Sequence, residues 1–149
     1  MDISIVGSGY VGTTIAGCFA DLGHDVINVD IDESVVESIN KGDSPIHEPG
    51  LDELIEEHAG SNLQATSDYD AIRDTSVIFL ALPTPSNADG SIDSGYIEAA
   101  AESVGEAIAD APGPHLIVVK STVVPTTTEE VITPILEEAS GKTPDEDFF

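Results

Sequence analysis

Directly after a short apolar run, Ile3-Ser4-Ile5-Val6, the chain reads Gly7-Ser8-Gly9-Tyr10-Val11-Gly12 and continues to Leu22 with small and apolar residues at helical spacing. A strand that enters a glycine-rich turn and leaves it as a helix is the opening of a βαβ unit. The three glycines serve different physical ends. Gly7 permits the tight turn, Gly9 lets the backbone approach a pyrophosphate, and Gly12 lets helix and strand pack closely. The anion would sit at the helix N-terminus, where unpaired N–H groups and the positive dipole end stabilise it. The G-x-G-x-x-G pattern alone is weak; the strand before it and the helix after it give it meaning.

The rest of the chain repeats this alternation. Gly23 stops the first helix before a second strand, Asp25 to Asp30, and Asp32 is placed to cap a helix through Ile39 that Gly42 ends. A loop with two prolines, Asp43 to Pro49, precedes a short helix from Leu51 to His58. Leu63 to Thr66 reads as a weak third strand, and Ser76 to Leu82 as a strong fourth one, apolar enough to be buried on both faces. Pro83 and Pro85 end it. An alanine-rich helix, Tyr96 to Asp110, stops at Pro112-Gly113-Pro114 before a fifth strand, His115 to Val119. The last helix, Thr127 to Ala139, is expected to kink at Pro134 and close at Gly141. The pattern predicts an α/β, Rossmann-like, doubly wound parallel sheet with helices on both faces, and 149 residues suit one domain, 1–149. Phe148-Phe149, after a polar connector, reads as the start of a sixth strand at a domain boundary, or else as the two aromatics of a polar tail that pack on the core.

Asp30 closes the second strand, where its carboxylate can accept hydrogen bonds from the adenosine ribose hydroxyls and repel a 2′-phosphate. No Lys or Arg lies between Asp30 and Lys41 to neutralise such a phosphate, so NAD is favoured over NADP. Cys18, flanked by Gly17, Phe19 and Ala20, reads as a small buried thiol in the first helix. No Cys/His cluster has metal-ligand spacing, which argues against zinc.

Generic dinucleotide logic cannot separate one dehydrogenase from another, but further segments can. Gly9-Tyr10-Val11-Gly12, Pro45-Ile46-His47-Glu48-Pro49-Gly50-Leu51 and Lys120-Ser121-Thr122-Val123-Val124-Pro125 together resemble the UDP-glucose and GDP-mannose dehydrogenase family. Leu82-Pro83-Thr84-Pro85 and Asp89-Gly90-Ser91-Ile92-Asp93 resemble its fourth-strand turn and the acidic loop after it. The resemblance implies oxidation of a sugar C6 alcohol to a carboxylate in two hydride transfers using two NAD, most simply by a UDP-glucose 6-dehydrogenase. It implies that Gly7, Gly9, Tyr10, Val11 and Gly12 line the pyrophosphate, that Asp30 holds the ribose, and that Thr84 and Ser121 lie against the cofactor. Thr122 matches the family threonine that helps hold the catalytic water, a role suited to a hydroxyl that both donates and accepts.

The family's catalytic cysteine, with its lysine and aspartate helpers, and its central helix and substrate domain would lie outside this chain. The chain alone is therefore expected to bind NAD and turn nothing over. The nucleotide sugar would bind mostly through the missing domain, and the full enzyme would be a homodimer. Three departures stand out: Val35 where many relatives carry a basic residue, His47 where tyrosine is common, and Thr126 where glycine is common. Glu48 reads as fixing its proline-flanked loop. An NAD-sensing regulatory domain of a potassium transport system is the alternative reading. Like the 3-hydroxyacid dehydrogenases, it leaves the 45–51 segment unexplained.

Charge bounds the partners and the surroundings. Against 29 Asp and Glu stand 4 Lys and Arg, a formal net charge of −25, while 40% of residues remain hydrophobic. Disorder requires low hydrophobicity as well as high charge, so a folded chain with an acidic surface is implied. Nucleic acid and anionic membrane would both be repelled. No apolar run is long enough to span a bilayer and no basic leader precedes the first strand, so a cytoplasmic location is expected. Self-repulsion on this scale is tolerable where salt screens it, as in the salt-loaded cytoplasm of extreme halophiles, and a haloarchaeal source is expected. The thermal midpoint should rise with KCl; a midpoint indifferent to salt from low to multimolar levels would overturn this reading.

Overall fold

Val77-Ile78-Phe79-Leu80 offers no polar face, so both of its sides must be covered, and it lies inside the sheet. In the computed structural model, which describes residues 1–149, five strands form one parallel sheet. They are β1 (Asp2–Val6), β2 (Asp25–Val29), β3 (Leu63–Thr66), β4 (Val77–Leu80) and β5 (Leu116–Val119), in the spatial order β3-β2-β1-β4-β5. The helices are α1 (Tyr10–Asp21), α2 (Glu33–Asn40), α3 (Leu51–His58), α4 (Gly95–Ile108) and α5 (Thr133–Ser140). β1 leads through α1 to β2 on one side, while β4 leads through α4 to β5 on the other. The connections diverge from the β1–β4 pair and open a crevice at the carboxyl ends of these strands, as the Rossmann order requires.

The period of two along each strand divides the core between the faces. Ile3, Ile5, Val26 and Leu63 pack with Ala16 and Ala20 of α1, Val36 and Ile39 of α2, and Leu51 and Ile55 of α3. Val6, Val29, Ile78 and Leu80 point the other way, against Ile97, Ala101, Val104 and Ile108 of α4 and Leu136 of α5. Each fully buried Ile or Leu contributes on the order of 2 kcal/mol, so the two layers carry the domain. None of the acids is buried, and all but Asp30, Asp93 and Glu98 are exposed. Lys41 with Glu37, at 2.8 Å, is the single Lys or Arg ion pair. The negative charge is therefore spread over the surface rather than cancelled within it.

Three expectations need correction. Cys18 is exposed, not buried. Thr13, Ala16, Gly17 and Ala20 supply the inward stripe of α1, and Cys18 falls on its outer side. Pro134 does not kink one continuous α-helix. A π-helical turn, Thr128–Ile132, precedes α5, and Pro134 stands in the first turn of α5, where its missing N–H costs least. The Thr133 N–H bonds to Thr128 O, five residues back, and the Thr133 hydroxyl donates to the same carbonyl at 2.9 Å. The fourth strand is also shorter than expected, ending at Leu80, with one further bond from Ala81 N–H to Val6 O at 2.8 Å. A 3₁₀ turn at Tyr69–Ile72, which the sequence pattern does not predict, is capped by Asp68, whose carboxylate accepts from Asp70 N–H.

Beyond α5, Phe148 is buried and forms a parallel bridge with His115, and Ile117 N–H donates to Phe149 O at 2.7 Å. The two terminal aromatics thus begin to pair beside β5. His115 itself is buried, with Nδ1 donating to Thr75 O at 2.8 Å and Nε2 unpartnered. Burial holds its pKa below the ordinary value of 6.5 and Lys142 pushes the same way, against opposing contributions from the Thr75 bond and Asp74. The unfolded chain therefore takes up a proton here, at a pH where the folded one does not. Stability from this group is complete above the unfolded value and declines as pH falls below it. In KCl sufficient to screen the carboxylates, the melting midpoint should fall from about pH 7.5 to about pH 5.5, and His115→Gln should flatten that slope.

Candidate dinucleotide site

The turn from β1 into α1 is built by two contacts that leave no room for a side chain. Gly7 has φ +102°, and a Cβ there would lie 2.7 Å from Ala81 O. A Cβ on Gly12 would lie 1.8 Å from Gly7 O, so the first turn of α1 rests directly on the loop it follows. Gly9 differs from both, for its backbone is extended at φ −76° and a Cβ there would meet nothing within 4 Å. Nothing within the chain requires a glycine at position 9; the requirement lies in what enters the space beside it. Gly9 is also the N-cap of α1, without a side-chain capping bond, so the N–H groups of the first turn face the crevice unpaired.

The crevice they face is a cleft of roughly 490 Å³, walled by Gly7, Ser8, Gly9, Tyr10, Val11, Asp30 and Pro83 among others. An apolar slot of roughly 190 Å³ adjoins it beyond Asp30, between Tyr69, Leu82 and the α4 residues Tyr96, Ala99 and Ser103. Ile31, 78% exposed, and Tyr96, 54% exposed, line both spaces. Large apolar side chains left open beside a concave, partly polar wall mark a ligand site rather than a packing defect. Tyr69 is half-buried, and both burial and the Asp30 charge push its phenol pKa up, so the hydroxyl keeps its proton.

Asp30 is held by two main-chain amides: Ser8 N–H donates to Oδ2 at 2.7 Å and Asp32 N–H to Oδ1 at 3.0 Å. Asp30 lines both the cleft and the slot, and two bonds leave its carboxylate with further acceptor capacity. Ser8 is fixed in turn by its hydroxyl, which donates to Asn28 Oδ1 at 3.0 Å, and by its carbonyl, which accepts from Thr13 Oγ1 at 2.8 Å. Asn28, wholly buried, donates from Nδ2 to Ile5 O at 2.9 Å. Asn28 is not among the residues predicted from sequence to serve the site. One polar residue inside Val26-Ile27-Asn28-Val29 is the signal that could have found it, since an amide enters such a strand only with partners.

The structure brings Gly7, Gly9, Tyr10, Val11 and Asp30 to one cleft, whereas Gly12 is buried beneath it as a packing residue. Thr84, Ser121 and Thr122 do not line that cleft and lie farther along the same sheet edge, after β4 and β5. The Ser121 hydroxyl donates to Leu82 O at 2.8 Å, tying the two strand exits together, and Thr122 is exposed. Thr126, in the turn-rich segment that follows Ser121, has φ +74°, the left-handed conformation that explains why glycine suits this position. In the 45–51 segment, His47 and Glu48 are exposed, and the Glu48 carbonyl accepts from Leu51 N–H at 3.0 Å to start α3. Leu51 then seats α3 on Gly17 of α1.

A parallel sheet in this order, a glycine turn opening a helix N-terminus and an acid at the end of β2 define a dinucleotide-binding Rossmann domain. The profile of the UDP-glucose/GDP-mannose dehydrogenase family, NAD binding domain, matches residues 1–148. A UDP-glucose 6-dehydrogenase of Haloferax volcanii is 65% identical over 142 residues, 95% of this chain and 33% of that protein. A GDP-mannose dehydrogenase of Pseudomonas aeruginosa, solved as a ternary complex, superposes with a TM-score of 0.97 at 42% identity, covering 100% of this chain and 35% of that one. A UDP-glucose dehydrogenase from Pyrobaculum islandicum gives 0.91 at 40% identity, over 99% and 34%. The chain belongs to the UDP-glucose/GDP-mannose dehydrogenase family and is its NAD-binding domain, spanning about a third of the length of the curated relatives it matches.

The crowding at Gly12 and the open space at Gly9 separate packing from ligand approach. Gly12→Ala should cost at least about 3 kcal/mol, because a backbone carbonyl blocks the new methyl, while Gly9→Ala should stay within about 1 kcal/mol of the parent in thermal melts.

Proposed function

We propose that this chain is the cofactor domain of a UDP-glucose 6-dehydrogenase, which oxidises the sugar C6 alcohol to a carboxylate with two NAD. The observation that carries this reading is the 65% identity to the Haloferax volcanii UDP-glucose enzyme, against 45% for a Pseudomonas syringae GDP-mannose 6-dehydrogenase. When bound, NAD accepts the hydride removed from C6. The chain's own residues bind and orient it.

The apolar slot beside Tyr69, Ile31 and Tyr96 would take the adenine, and the Asp30 carboxylate would accept from the ribose hydroxyls. Gly9 and the free N–H groups of the first turn of α1 would hold the pyrophosphate. A 2′-phosphate would meet Asp30 and Asp32, with no Lys or Arg in either cavity wall to offset them. Thr84 and Ser121, after β4 and β5, would border the distal half of the cofactor, and the Thr122 hydroxyl would hold the catalytic water. The nucleophile, the substrate-selective groups and the dimer contact come from outside residues 1–149.

Calorimetric titration in multimolar KCl should show NAD binding at least about tenfold tighter than NADP, and Asp30→Asn should narrow that ratio. Gly9→Ala, although folded, should lose about tenfold in NAD affinity. Preferential binding of NADP by the parent would overturn the role given to Asp30. The isolated chain should reduce no NAD with UDP-glucose, and the complete gene product should oxidise UDP-glucose in preference to GDP-mannose.

A further inference from the structure

Asn28 has no access to the cleft, being 0% exposed, yet its amide stands at the origin of a closed ring of hydrogen bonds that ends on the cleft's acid. From Nδ2 it donates to Ile5 O at 2.9 Å, with Gly7 O at 3.4 Å as a longer second acceptor. Through Oδ1 it accepts the Ser8 hydroxyl at 3.0 Å, and Ser8 N–H in turn grips Asp30 Oδ2 at 2.7 Å. Asp30 follows Asn28 by two positions along the same chain, so the ring returns to its start. The Ser8 hydroxyl, between the first two glycines, is thereby turned into the core and withheld from the cleft. A hydrophobic residue at position 28 would fill this site as well as an amide if packing alone were at stake, since the rest of that face is Val26, Ile3 and Ile5.

We propose that Asn28 is a positioning residue of the cofactor site, which acts through Ser8 to set the Asp30 carboxylate for the ribose hydroxyls and to hold the glycine turn under the pyrophosphate. The inference rests on the reading of Asp30 as the ribose ligand. With the ring intact the carboxylate is preorganised and gains full hydrogen-bond strength on the ribose; with the ring broken it must be ordered at the moment of binding.

The test compares NAD with its 2′-deoxyadenosine analogue by calorimetry in multimolar KCl, because the analogue lacks one hydroxyl that Asp30 receives. Ser8→Ala deletes the link between Asn28 and Asp30 while leaving the Ser8 N–H, and Asn28→Leu removes the amide. The parent should prefer NAD by about tenfold or more. Each variant should lower that preference by about threefold or more, and the double variant should lose no more than the larger single loss, because both act through one bond. Asn28→Leu is the change most exposed to a folding defect, and the milder Ser8→Ala keeps the test decisive in that event. If the variants melt earlier but retain the parent's preference, Asn28 is a structural residue only and the proposal fails. A parent with no preference between the two dinucleotides would instead sink the ribose role of Asp30, a separate failure.

Discussion

The closeness of α1 to the exit of β1 is the constraint from which the rest of this domain follows. With Gly12 resting on the carbonyl of Gly7, the helix begins as soon as the strand ends, and its N-terminal amides stand at the sheet's carboxyl edge. An intervening loop of ordinary length would displace that positive dipole end, which is strong only within the first turn. The same closeness brings Ser8 within reach of both Asn28 and Asp30, so the turn, the second strand and the acid are set as one piece. The divergence of the connections from β1 and β4 then supplies the open volume above it.

Within a chain of net charge −25, attraction of an anionic dinucleotide cannot come from the overall field. No Lys or Arg lines the cleft or the slot beside it. In the proposed reading, binding depends on short-range, directional contributions: main-chain N–H groups at the helix start and apolar contact along Ile31 and Tyr96. Such interactions survive the salt that screens the exposed carboxylates, because they act at contact distance and are partly shielded from solvent. The acidic surface and the cofactor site thus tolerate the same ionic surroundings for different physical reasons.

Much of the site could be read directly because its residues obey local rules. The glycines follow from sterics of one turn, Asp30 from its place at a strand end, and the order of strands from the alternation of strand and helix patterns. Cys18 could not be read correctly because an alanine- and glycine-rich helix leaves the orientation of its buried stripe ambiguous, and only docking on the sheet chose it. α5 packs on α4 so closely that a Cβ on Gly105 would stand 2.6 Å from that of Ala139, a contact that no local pattern announces. Asn28 was legible as an oddity but not as a function, since its partners are distant in sequence, at Ile5, Gly7 and Ser8.

By itself, the sequence determined the class of fold, the glycine turn, the acid at the end of the second strand and the acidic surface, because periodicity, backbone sterics and charge are properties of short stretches or of simple sums. Tertiary structure alone decided that Cys18 faces outward, that Tyr69 and Tyr96 wall an apolar slot beside Asp30, and that Asn28, buried away from the cleft, bonds to the Ser8 hydroxyl. Those outcomes depend on distances between segments far apart along the chain, which packing of the two helical layers on the sheet creates.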